Sequence, residues 1–152
     1  MEPIIRVARE GDIPRIVELY DRLVLDSSET ERQKQCNDEV YRRAFNEIGS
    51  DPRHHLLVSE YDGKVVGTLV FVLVPNLSHR ASPWAVVENV IVDPAYQGRG
   101  FGKKMMEHVI EMAKEAGCYK ISLTSNLKRH VAHNMYRSLG FEPSAHGFRR
   151  YF

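Results

Sequence analysis

The 152 residues predict a single mixed α/β domain, a central and mostly antiparallel sheet flanked by helices. Three observations carry this. Helical spacing of apolar residues dominates from Ile13 to Ile48, strand-type runs take over from His55 to Val92, and a glycine cluster near residue 100 then passes the chain into a helix. Asp62-Gly63 between two apolar runs signals a tight hairpin and antiparallel neighbours. The strand–helix–strand pattern over 84–125 requires a parallel crossover, so the sheet is mixed rather than doubly wound.

Ile5 and Val7 alternate with polar or small neighbours in a first short strand. Gly11-Asp12 punctuates, with Asp12 suited to cap a helix whose first turn tolerates Pro14. Ile13, Ile16, Val17, Tyr20, Leu23 and Val24 form one apolar stripe. Asp26 to Asp38 is polar and without period. Cys36, Val40, Tyr41, Ala44, Phe45 and Ile48 give a second helical face, closed by Gly49. Strands are predicted over His55–Tyr61, Lys64–Val74 and Trp84–Val92, with Pro75 to Pro83 a loop. Met105, Val109, Met112, Ala113 and Ala116 mark a helix ended by Gly117. Tyr119, Ile121 and Leu123 alternate as a half-buried strand. Val131, Met135 and Leu139 form a last helix ended by Gly140, and Phe148–Phe152 is predicted to add a closing strand. No repeat, linker or low-complexity tract interrupts 1–152.

Composition narrows the function. Apolar residues make up 43% and charged residues 27%, ordinary for a globular chain. Lys plus Arg (21) nearly balances Asp plus Glu (20), so no chain-wide basic field points to nucleic acid or an anionic membrane. The longest purely apolar run, Leu69 to Val74, is far short of the ~20 residues a membrane helix needs. Met1 to Arg6 has no signal-peptide character, and the chain reads as cytoplasmic. Cys36 and Cys118 fit neither a CxxC pair nor zinc-finger spacing and read as reduced, buried thiols. His130 and His133 lie three apart on a helix with nothing to complete a metal set, so no metal is expected.

The most informative stretch runs Asp93-Pro94-Ala95-Tyr96-Gln97-Gly98-Arg99-Gly100-Phe101-Gly102-Lys103-Lys104. Glycines between a strand and a helix let the backbone turn sharply and leave amide N–H groups uncovered. The helix start adds unpaired N–H groups and the positive end of its dipole. Together they make an anion cradle, to which Arg99, Lys103 and Lys104 add charge. A nucleoside-triphosphate loop needs four residues between its glycines followed by Lys and Ser or Thr. Here three residues separate Gly98 from Gly102, and Lys104 follows Lys103. The dinucleotide fingerprint GxGxxG fails as well, because this spacing is GxGxG.

Gln97-Gly98-Arg99-Gly100-Phe101-Gly102 resembles the Q/R-x-x-G-x-G/A loop of the GNAT superfamily of acetyl-CoA-dependent N-acetyltransferases, and Val90-Ile91-Val92-Asp93-Pro94 precedes it as in that family. Ala132-x-x-x-Tyr136-x-x-x-Gly140-Phe141 is similar to the family's second signature, and the element order matches over essentially the whole chain. The resemblance implies a sheet that splays open beside strand 84–92, with acetyl-CoA in the opening. It places the pantetheine arm along the backbone of Val90, Ile91 and Val92, and the pyrophosphate on Gln97, Gly98, Arg99, Gly100, Phe101, Gly102 and Lys103. Seven residues before the helix tyrosine the family often has Asn contacting the cofactor; here Arg129 stands there, with Asn126 nearby to take over part of that role. Members are often dimers, so a homodimer is compatible with it.

Acetyl transfer to an amine needs a proton acceptor at nitrogen, a donor for the oxyanion and a proton for the departing thiolate. Tyr136 matches the family's general acid, its phenol protonated at neutral pH with a usual pKa of about 10. Glu88 lies in the apolar run Val86-Val87-Glu88-Asn89-Val90, where a carboxylate must be solvated, paired or functional; it is the candidate base. The expected acceptor is the primary amine of a small molecule, attacking directly in a ternary complex. Val87-Glu88-Asn89 with Gly117-Cys118-Tyr119-Lys120-Ile121 is also similar to glucosamine-6-phosphate N-acetyltransferases, although those usually carry an acid where Asn89 stands. Protein or peptide acetylation and a non-catalytic acyl-CoA sensor are compatible with the same motifs. Specificity is expected in the 26–38 segment and the 75–83 loop.

Overall fold

The computed structural model describes residues 1–25 and 37–152. Cys36 and nearly all of the polar 26–38 segment therefore lie outside the described residues. Strands β1 (Ile4–Val7), β2 (His54–Tyr61), β3 (Lys64–Val74), β4 (Trp84–Val92) and β5 (Ile121–Ser122) form one sheet in that order. The first three pairings are antiparallel and β4 pairs with β5 in parallel. The β2–β3 hairpin turns at Asp62 and Gly63, both at positive φ (51° and 71°), as its Asp-Gly turn requires.

Helices α1 (Ile13–Leu25) and α2 (Asp38–Ser50) cover one face. Asn37 caps α2, its side chain accepting from the Val40 N–H at 3.1 Å. Asp12 does not cap α1 in this way. Its carboxylate accepts instead from the Arg9 N–H and the Arg6 guanidinium, bracing the turn before the helix. Ile16 and Leu19 of α1 pack on Val58, Val70 and Ile91. Helices α3 (Phe101–Glu115) and α4 (His130–Ser138) cover the other face, where Met105, Met106 and Val109 meet Leu69, Phe71 and Val87. Side chains as fully buried as Leu19, Val58 and Phe71 each contribute about 1.5–3 kcal/mol. No described helix is long and apolar enough to cross a membrane.

Two expectations change. The strand predicted around Tyr119–Leu123 shrinks to Ile121–Ser122, and Phe148–Phe152 forms no strand. The causes are linked: a two-residue β5 offers almost no edge to pair with. Gly147 still runs against that edge, so closely that a Cβ there would sit 2.8 Å from the Thr124 methyl.

Candidate active site

The site begins with an irregularity in β4. Thr68 faces Ile91 and Val70 faces Glu88, so Asn89 and Val90 together oppose the single residue Leu69. This is a β-bulge, and Asn89 takes it at a φ of 54°, unusual for a non-glycine residue. Side-chain alternation slips by one: Val87 and Val90 both enter the α3–α4 core, while Glu88 and Asn89 are both exposed. The Tyr20 hydroxyl of α1 lies against the side chains of Asn89 and Thr68. Thr68 in turn donates to the Leu57 carbonyl at 2.8 Å. The strained residue is thus held from beneath.

The sheet parts at the same level. β5 pairs with β4 only at Ala85–Ile121 and Val86–Ser122, so the β4 edge beyond Val86 has no strand beside it among the described residues. Arg129, at the start of α4, spans the gap and donates to the Val90 carbonyl at 3.4 Å. Tyr136 lies two turns further along α4 and is 6% exposed. Gly140, at a φ of 89°, reverses the chain after α4 and brings Phe141 edge-on to the Tyr136 ring, centroids 6.0 Å apart. Burial pushes the Tyr136 phenol above its ordinary pKa, with Arg129 opposing.

A cleft of about 500 Å³ occupies the opening and brings together Glu88, Val90, Asn126, Arg129 and Tyr136. Desolvation raises the Glu88 carboxyl above its ordinary range although the residue keeps access to solvent; the Arg149 charge opposes. Ser125, whose buried hydroxyl has no hydrogen-bond partner among the described residues, also lines the cleft.

The glycine loop follows at the end of β4. Gly98 and Gly100 adopt φ of 75° and 81°, Gly100 is the cap of α3, and nothing lies within 4 Å of where a Cβ would stand on either. Left-handed backbone, open to glycine, and free space coincide where an anion would meet the amides. The Gln97 side chain donates to the Val92 carbonyl at 3.0 Å and closes the turn. Gly102 faces Val92 and Met135 at ordinary contact distance. Phe101 is buried, leaving only its backbone for a ligand. Arg99 lies over the rings of Tyr61, Tyr96 and Phe101 and donates to the Tyr61 hydroxyl at 3.0 Å. Lys103 is exposed, and Lys104 pairs with Glu2.

Asp93 anchors the loop from below. It is 5% exposed, accepts from the Ala95 N–H at 2.9 Å, and pairs with Arg15 and Arg22 of α1. Burial alone would raise its pKa; the Ala95 amide and the two guanidiniums outweigh it and hold the carboxyl below the usual range. One helix therefore braces both the bulge, through Tyr20, and the glycine loop, through Arg15.

Sequence reasoning missed Ser125, Phe148, Tyr151 and Leu23 as cleft residues. Leu23 belonged to an apolar stripe, and the tail carries no periodicity to mark its face. The 75–83 loop does not line this cleft. It holds three successive left-handed residues, His79, Arg80 and Ala81, with the His79 ring stacked 3.8 Å from that of Tyr119. His130 and His133 are neighbours, but no group of three or more His, Cys, Asp or Glu suited to a metal exists among the described residues.

A sheet parted beside a glycine turn, facing a helix-borne tyrosine, is the architecture of an acyl-transfer fold. The chain belongs to the acetyltransferase (GNAT) family, whose model matches residues 15–141. It is 33% identical over 79 residues to glucosamine 6-phosphate N-acetyltransferase of Trypanosoma brucei brucei, a match spanning 52% of this chain and about half (52%) of that relative. It is 29% identical over 141 residues to the L-amino acid N-acyltransferase MnaT of Escherichia coli (strain K12), covering 93% of this chain and 80% of that one. A solved transcriptional regulator from Bacillus halodurans C-125 superposes with a TM-score of 0.87 at 32% identity, over 99% of this chain and 100% of that one.

Proposed function

We propose that the protein transfers the acetyl group of acetyl-CoA to the primary amine of a small molecule, by direct attack within a ternary complex. The observation that carries this is the shared cleft: the β4 edge from Val87 to Val90, Tyr136 and Glu88 all line one opening, and β4 runs on from it into the open glycine turn. Bound acetyl-CoA supplies an activated thioester.

The chain's own groups fit the remaining needs. Amides from Gln97 to Lys103, at the start of α3, suit the pyrophosphate. The β4 edge from Val90 to Val92 offers backbone groups to the pantetheine arm. Arg129 and Asn126 stand at the inner end of that path, Arg129 on the Val90 carbonyl. Tyr136 stays protonated at neutral pH and holds its proton for the thiolate. Glu88, with its elevated pKa, attracts the ammonium and takes its proton, directly or through a water. A non-catalytic acyl-CoA sensor has no need of both groups in one cleft.

Glucosamine 6-phosphate is the second reading for the acceptor, favoured by the relative that bears that name. The Asn89 side chain, however, is engaged with Tyr20 beneath the bulge. Thiol release from acetyl-CoA across a panel of amines, with calorimetry of acetyl-CoA binding, tests the proposal. Amine-dependent release and a single binding site are expected. Binding without release would leave only the sensor, and neither would overturn the assignment.

A further inference from the structure

We propose that the acceptor carries its amine on a compact apolar body, a branched alkyl or aryl group, and that Leu23 and Phe148 are the residues that read it. The inference rests on the acetyltransferase reading above and deepens it. Leu23 stands three residues beyond Tyr20 on α1, one turn along the same face. Tyr20 lies against Asn89, so Leu23 enters the cleft beside the bulge that presents Glu88. Phe148 comes from the C-terminal tail, lines the same cleft and is 93% exposed. The backbone just before it is pinned: Gly147 lies so close to Thr124, another cleft residue, that a Cβ would meet the Thr124 methyl at 2.8 Å.

Exposure alone says little about a phenylalanine, since much of any protein surface is apolar. A ring that is exposed, lines the cleft and stands on pinned backbone says more. Packing within the chain does not account for it; the Phe148 ring touches the His146 ring, centroids 6.3 Å apart, and keeps nearly all of its surface in water. That surface is removed from water when an apolar group enters the cleft and lies against it. Leu23 offers a second apolar surface in the same opening. Its position is set by packing on the core beneath the sheet, so it is in place before a ligand arrives. With the acceptor nitrogen at Glu88, an apolar body on the neighbouring carbons meets both side chains. A hydroxyl-rich acceptor gains nothing from them and gives up hydrogen bonds to water against them. Size limits the body. About 500 Å³ must hold the acyl end of the cofactor as well as the acceptor, which leaves room for one ring or a branched chain of similar bulk.

Primary amines that differ in the body they carry test this: 2-phenylethylamine and 3-methylbutylamine against ethanolamine, with glucosamine 6-phosphate as the polar alternative. Thiol release from acetyl-CoA should give a kcat/KM at least about tenfold higher for one of the apolar amines than for ethanolamine, the scale that apolar contacts in a pocket supply. Phe148→Ala should bring the two within about threefold by raising the KM of the apolar amine, with the KM of acetyl-CoA kept; Phe148→Leu should restore part of the gap. A smaller gap in the wild type, or ethanolamine or glucosamine 6-phosphate as the best acceptor, would overturn the substrate class while leaving the acetyltransferase in place. A gap that Phe148→Ala leaves unchanged would remove Phe148 as its reader. Absence of amine-dependent release throughout would overturn both the class and the reading it rests on. The wild-type comparison needs no variant, and the exposed Phe148 ring can be truncated without opening the core.

Discussion

Tyr136 owes its place to the residues that follow it. The left-handed Gly140 turns Phe141 back onto the phenol ring, which fixes the ring while the hydroxyl faces the cleft. Tyr136→Phe removes only that hydroxyl. It should lower kcat roughly 10²-fold and change acetyl-CoA affinity little, as steady-state kinetics with calorimetry would reveal; a wild-type rate would make the tyrosine structural. As the proposed base, Glu88 acts by charge rather than packing. Its raised pKa means that activity climbs as pH rises through that value, because only the carboxylate accepts a proton. Glu88→Gln should lower kcat/KM most at low pH and recover partly at high pH, where free amine is abundant. The stability sign is the reverse. A carboxyl with a raised folded pKa favours the folded state when protonated and disfavours it once ionised. Glu88→Gln should therefore melt no lower than the wild type at pH 7, separating lost catalysis from lost fold.

The element proposed to hold acetyl-CoA is the segment from the bulge of β4 through the glycine turn to the first turn of α3. Gly100→Val puts a β-branched side chain at a φ of 81° in the space left open above the amides. Calorimetry should show acetyl-CoA binding abolished, and circular dichroism should show the helices retained. Unchanged affinity in the folded variant would displace the pyrophosphate from this turn. Asp93 holds the turn from the inside, and its lowered pKa sets a pH dependence of the opposite sign to that of Glu88. Its contribution is complete above the unfolded carboxyl pKa of about 3.9 and disappears as pH falls through the lower folded value. Asp93→Asn should cost about 2 kcal/mol at neutral pH, read from urea unfolding. Below pH 4 the gap to the wild type should narrow, and a gap independent of pH would rule out this ion pairing as its source.

At the scale of the whole molecule, one sheet separates two cores, and the site lies where the strands fail to stay together. Gly67 marks how closely the layers approach. A Cβ there would sit 3.0 Å from the Ile91 carbonyl oxygen and 3.0 Å from the Met105 sulfur. The methionine can yield and the carbonyl of β4 cannot. Gly67→Ala should destabilise by about 1–3 kcal/mol, lowering the melting temperature by about 2–4 °C per kcal/mol in a chain of this size. A variant as stable as the wild type would show that β4 and α3 can give way to β3 at this level.

Local chemistry made much of this legible in advance. Period-2 and 3.6 patterns place helices α1 to α4 and the three long strands, because each element must turn an apolar face to a core. Asp62-Gly63 and Gly100 announce their turns because few other residues adopt positive φ. The glycine turn and Tyr136 are readable as motifs, since a backbone cradle and a helix spacing are both encoded within a dozen residues. The bulge at Asn89 has no such signature; it exists because β3 and β4 must pair out of step, with Tyr20 filling the space beneath. Arg99 reads as a phosphate ligand by its position, and no local pattern shows that it also lies over three aromatic rings contributed by β2, the turn and α3. Arg149 and Ser125 line the same cleft as Glu88 from segments more than twenty residues apart, a meeting that no local pattern encodes. The sequence alone determines the long elements and the family, because these rest on short-range periodicity and motif spacing. Tertiary structure alone decides which charges share a cleft, because that depends on where the sheet parts and where an aperiodic tail comes to rest.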